Sequence, residues 1–135
     1  MDHTRPEFLL FSAKAANAKS DTINVKGFKY ITIALFGATG ADMDVLLRGS
    51  AKETAPDLTA AASASNLWSY IGMQDQGALT DIVGSTGYEF NGTGGAATLR
   101  ANVDALNWIA LEIANWVAAG LTAYVMLSND KNDVS

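Results

Sequence analysis

Apolar and polar residues alternate along most of this chain with a period of two, the spacing of strands that bury one face. The clearest case is the run FKYITIALF, Phe28 to Phe36, in which Ile31, Ile33 and Leu35 share one face and Tyr30, Thr32 and Ala34 share the other. β-Branched and aromatic residues dominate it, and GATG at 37–40 ends it with turn chemistry. Ala41 to Ser50 repeats the alternation, with Met43, Val45 and Leu47 opposite Asp44, Leu46 and Arg48. The two runs are predicted to form a hairpin through the GATG turn.

The same reading places a first strand at Phe8 to Ala13, a weaker one at Ser20 to Val25, and another at Asn66 to Gln74. Two short strands follow around Ala78 to Val83 and Thr86 to Asn91, and GTGG then forms a hairpin loop before Ala97 to Val103. Residues 51–65, AKETAPDLTAAASAS, carry few large apolar side chains and read as a long connection with a helical turn near Pro56, ordered by a partner. Residues 104–119 fit two patterns. Leu106, Ile109, Ile113, Trp116 and Val117 match helical spacing, whereas Ile109, Leu111 and Ile113 match a strand from Asn107 to Ala114. The strand is preferred because it pairs with Leu121 to Ser128 in a closing hairpin and leaves no edge bare. Eight to ten short strands at this spacing predict an all-β fold, an antiparallel β-sandwich or jelly roll. The chain, 1–135, reads as one such domain with a mobile tail from about 129.

Composition narrows the chemistry. No cysteine is present, so disulfides, thiolate metal sites and cysteine nucleophiles are excluded. No apolar run approaches the roughly 20 residues that cross a bilayer as a helix, and MDHTRPEF lacks the apolar core of a secretory signal. A soluble protein made in the cytoplasm, without a membrane partner, is expected. Lys and Arg number 9 against 14 Asp and Glu, for a net charge of −5, and the basic residues are scattered, which argues against nucleic acid as a partner.

Candidate chemistry is sparse. His3 is the sole histidine and has no second histidine or cysteine to complete a site. Asp42 and Asp44 can share a strand face as calcium ligands, but no third ligand follows at a defined spacing, and two solvated carboxylates are the simpler reading. Gly92, Gly94 and Ala97 mimic a dinucleotide-binding turn, yet ATLRANV after them alternates like a strand rather than opening a helix. Asn91-Gly92-Thr93 is a formal glycosylation acceptor without a secretory context. Glu89 and Glu112 cannot be paired with another acid from spacing alone. The expectation is a protein with no enzymatic activity, metal or cofactor.

Placing Ile31, Ile33, Leu35, Ile109, Leu111, Ile113, Leu121, Val125 and Leu127 in the core leaves Tyr30, Leu46, Trp108, Tyr124 and Met126 facing outward as a candidate protein interface, or as a face covered by the 51–65 connection. The 17% charged content fits extensive subunit contact. A competing reading is a carbohydrate- or receptor-binding module, with Trp68, Tyr70 or Trp116 stacking on sugar rings. In that case Trp116 also has a simpler role as the plug of one end of the sandwich.

The order YITIALFGATG, DVLLRGS, NLWSYI, a central Gly-rich part, then NWIALEI and AAGLTAYVMLS, resembles small β-sandwich accessory proteins of tailed bacteriophage virions, which include capsid decoration (cement) proteins and tail components. The resemblance spans most of residues 28–128, and the Ala/Ser-rich segment 51–65 departs from it. It implies a virion location, contacts with major capsid or tail subunits, and assembly as a homo-oligomer, commonly a trimer. Tail, connector and fibre roles share the same implied fold.

Overall fold

The computed structural model describes residues 5–129. Within them there are no helices, and twelve strands build two antiparallel sheets packed as a sandwich. The strands are β1 (Glu7–Lys14), β2 (Ala18–Lys19), β3 (Ile23–Asn24), β4 (Tyr30–Gly37), β5 (Asp42–Ser50) and β6 (Ser69–Tyr70). They continue as β7 (Met73–Asp75), β8 (Thr80–Ile82), β9 (Tyr88–Asn91), β10 (Gly95–Asn102), β11 (Trp108–Ala118) and β12 (Leu121–Ser128). The first sheet has the order β1-β12-β4-β10-β7-β8; the second has β2-β11-β5-β6, with β3 also on β11 and β9 also on β5. The predicted all-β antiparallel sandwich is therefore the observed architecture. Pairings of only two or three residues (β2, β3, β6, β7 and β8) raise the strand number above the eight to ten expected.

The core lies where the alternating stripes of the two sheets meet. Ile31, Ile33 and Leu35 of β4 and Leu121, Ala123, Val125 and Leu127 of β12 face Met43, Val45 and Leu47 of β5 and Ile109, Leu111 and Ile113 of β11, all essentially inaccessible to water. The ambiguous stretch 104–119 resolves as a strand because β11 finds a partner along nearly its whole length, from Trp108 against Ser50 to Ala118 against Asp42. A register shift after Ala114, where Asn115 has a positive φ, bends its far end.

Three hairpins expected from the sequence are instead crossings between sheets. β4 and β5 do not pair across GATG: β4 lies between β12 and β10, while β5 lies between β11 and its partners β6 and β9. The GTGG segment likewise carries the chain from β9 in the second sheet to β10 in the first, and β11 and β12 are also in opposite sheets. The stretch 66–74 divides in the same way into β6 and β7. Each crossing sets consecutive apolar stripes face to face rather than side by side. The approach at one end is close. A Cβ on Gly37 would stand 2.8 Å from that of Ala41, and one on Gly94, whose φ is +67°, would collide with the carbonyl of Ala38.

Near Pro56 the chain makes one hydrogen-bonded turn, and no helix. The segment holds a turn at Asp57 to Ala60 and a small bridge between Ser63 and Asn66, and the protein's own sheet orders it. His3 and the tail beyond 129 lie outside the described residues.

Candidate functional site

The two sheets differ in what covers their outer faces. On the second sheet, register places Leu46, Arg48 and Ser50 of β5 beside Glu112, Ala110 and Trp108 of β11, and Tyr70 of β6 beside Arg48. This face turns inward on its own chain. Leu46 and Arg48 are 5% and 6% exposed. The Arg48 Nε donates to Glu112 Oε1 at 2.9 Å, and the Tyr70 hydroxyl donates to the same oxygen at 2.8 Å. Arg48 Nη1 donates to the Leu58 carbonyl at 2.8 Å, and its guanidinium stacks on the Trp68 ring with Cζ 4.1 Å from the centroid. Trp68 Nε1 in turn donates to the Ala60 carbonyl at 2.9 Å. The chain from 51 to 68 is thereby fastened down, with Leu58 buried under it. Burial, then the bond to Glu112 and its charge, hold the Tyr70 phenol above its ordinary pKa.

Of the candidate interface residues, Leu46 is buried within the chain and Trp108 is engaged by the chain's own Lys52. Leu46 packs beneath the subunit's own turn at Gly87. Trp108 is half-buried, with its Nε1 donating to the Lys52 carbonyl at 3.0 Å and Lys26 Nζ lying 5.7 Å from the ring centroid. Of the candidate glycan contacts, Trp68 and Tyr70 are half-buried parts of the Arg48 cluster, with their rings edge to face at 5.1 Å. Trp116 packs against the core and donates Nε1 to the Ala119 carbonyl at 2.7 Å, closing one end of the sandwich. The structure therefore does not bring these three aromatics together as an open platform. A shallow depression of about 360 Å³ beside Trp68, lined by Leu67, Leu106 and Lys52, is the nearest open space.

The first sheet is different. Its outer face carries Tyr30, Tyr124 and Met126 as expected, and adds Leu9 and Phe36, which the sequence reading did not single out. Leu9, Phe36 and Tyr124 are 51%, 57% and 38% exposed, whereas Tyr30 and Met126 are half-buried. Register joins them. Leu9 is opposite Tyr124 and Tyr124 opposite Ala34, while Thr122 lies between Tyr124 and Phe36 along and across the strands. No described segment crosses this face by a named hydrogen bond of the kind that ties 51–68 to the other. The signal for Leu9 was its i, i+2 relation to Glu7 on a strand whose other side carries Phe8; that face could be assigned only once β1 was docked on β12.

Asp42 and Asp44 lie on β5 near Asn91 and Glu89 of β9, and Asp44 Oδ2 accepts from Asn115 Nδ2 at 2.7 Å. Among the described residues no three Asp, Glu, His or Cys side chains converge in a metal-binding group. The segment at Gly92 to Ala97 leads into β10, a strand, so the dinucleotide-binding arrangement is not built.

No family model matches the chain, and no curated protein matches its sequence. Among solved structures it is similar to the SPBc2 prophage-derived protein YomS, with a TM-score of 0.66 at 7% sequence identity, covering 93% of this chain and 94% of that one. A cleaved adhesin domain of Lys-gingipain from Porphyromonas gingivalis gives a TM-score of 0.45 at 8% identity, over 92% of this chain and 72% of that one, too distant to carry an argument. The likeness to YomS extends over nearly the whole of both molecules and shows that this chain shares the fold of a prophage-derived β-sandwich protein.

Proposed function

We propose that this protein is a virion structural protein of a tailed bacteriophage, a capsid decoration (cement) protein that acts through contacts with other proteins and without catalysis. The observation that carries the reading is the contrast between the two outer faces. One is closed around Arg48, Leu46 and Glu112 by the chain's own 51–68 segment, and the other leaves Leu9, Phe36 and Tyr124 open to solvent. An apolar, aromatic sheet face of this kind is the surface that proteins bury against one another. The prophage origin of YomS, which has the same fold, supports a phage setting. Many copies on a repeating lattice gain strength by avidity, so no deep pocket is required.

A tail, connector or fibre position uses the same surface in a different place. The carbohydrate-binding reading gains nothing from Trp68 and Tyr70, since the Arg48 cluster already occupies them. The deciding experiment is the copy number and position of the chain in purified particles by mass spectrometry and electron cryomicroscopy. Hundreds of copies on the shell are expected; a handful at one vertex or along the tail would replace decoration with a connector or fibre role, and absence from particles would end the reading.

A further inference from the structure

One row of side chains crosses the open face of the first sheet on all six strands: Glu7, Met126, Thr32, Arg100, Gln74 and Asp81, each opposite the next in register. Arg100 is the cation of this row. Its Nε is buried and has no hydrogen-bond partner, and among the described residues neither Arg100 nor Glu7 forms an ion pair. A buried donor left unpaired is costly and rare, and the Nη nitrogens of the same guanidinium, which make no hydrogen bond with the described residues, are the atoms that a carboxylate from outside the chain can reach. Glu7 cannot supply it within the subunit, because it stands three strands away, about 14 Å at the usual strand spacing.

From this row we propose that the open face packs on a second copy of the same chain, face to face about a two-fold axis, with Arg100 of each copy paired to Glu7 of the other. The placement follows from counting strands. An axis running along the strands between β12 and β4 carries β1 onto β10 and β12 onto β4. Glu7 then lies over Arg100 and Met126 over Thr32 of the second copy. The next row does the same with Leu9 over Thr98 and Tyr124 over Ala34. The axis thus passes through the apolar middle of the face, with charge pairs at its two flanks. Sheets packed face to face lie about 10 Å apart, a gap that an arginine and a glutamate span together. The contact is self-complementary, as a two-fold interface must be, and each dimer holds two Arg100–Glu7 pairs. The loops bearing Leu79 and Val83, 73% and 67% exposed, lie beyond this contact on the β8 side and remain free for other virion subunits.

This inference names the first partner of the surface on which the proposed function rests, and it is tested on the isolated full-length chain rather than on particles, so either can fail alone. Sedimentation equilibrium across micromolar concentrations is expected to show a monomer–dimer equilibrium. Arg100→Glu and Glu7→Arg should each weaken dimerisation by roughly a hundredfold, since each loses two pairs and sets like charges against each other. The double variant Arg100→Glu/Glu7→Arg should recover most of that loss. Far-UV circular dichroism checks that each variant folds, and Tyr124→Asp, at the centre of the contact, supplies an independent disruption expected to give monomer. A monomeric or trimeric parent chain, or a double variant no stronger than the single ones, would overturn the proposal.

Discussion

Arg48 and Glu112 are paired across adjacent strands on the outer face of the second sheet, Nε to Oε1 at 2.9 Å, with both side chains almost fully removed from water. They are 64 residues apart in sequence. Arg48 closes its part of that face by fixing the Leu58 carbonyl and the Trp68 ring, whereas Leu9, Phe36 and Tyr124 stay exposed on the first sheet.

Breaking this pair from one side leaves an uncompensated buried charge. Arg48→Met or Glu112→Leu is expected to cost about 3–5 kcal/mol in urea denaturation, and the double variant clearly less than the sum of the two. Additive losses would show that the two groups are not coupled.

Trp68→Ala removes both the stacking surface under Arg48 and the bond to Ala60. The expected result is local opening of 51–68. Trypsin should cleave after Lys52 many times faster than in the parent, while global stability falls by only about 2 kcal/mol. Unchanged proteolysis would mean that the segment is held by other contacts.

The Tyr70 phenol is held above its ordinary pKa by burial and by Glu112. A group whose folded pKa is raised contributes stability that is fully present below the unfolded value near 10 and is lost as pH rises through the folded one. Stability is therefore expected to decline above pH 10. Tyr70→Phe should flatten part of that decline while costing about 1 kcal/mol at neutral pH. Tyr88, also raised, chiefly by burial, accounts for a further part, which Tyr88→Phe measures separately.

Gly92 and Gly94 both have positive φ, but only Gly94 is pressed against neighbouring backbone, at Ala38 and Gly37. Gly92→Ala should cost about 1 kcal/mol through backbone strain alone, and Gly94→Ala about 3 kcal/mol or more because the crossing to β10 must shift. Equal losses in thermal unfolding would show that the crossing is not tight.

Phe36→Ser changes an exposed side chain, 57% accessible, on the open sheet. Its melting temperature should stay within the small range of ordinary surface substitutions, while the number of copies incorporated into particles falls severalfold. Full incorporation would remove this face from the proposed function.

The alternation of Ile31, Ile33 and Leu35, of Met43, Val45 and Leu47, and of Leu121, Val125 and Leu127 was enough to determine strands, their inward faces and the all-β class, since a period of two sorts side chains by face within one strand. It could not determine which strands pair, because a hairpin and a crossing between sheets bury the same stripes. Tertiary structure made that choice at 37–40, at 92–95 and at 119–120, where glycines let backbones approach closely or the chain turn with positive φ. It also decided which outward aromatics stay open. Leu46, Trp68 and Trp108 look as exposed in sequence as Tyr124, and only contacts made in space separate them: the turn at Gly87 lies over Leu46, Arg48 and the Ala60 carbonyl engage Trp68, and Lys52 and Lys26 engage Trp108, while Tyr124 stays exposed.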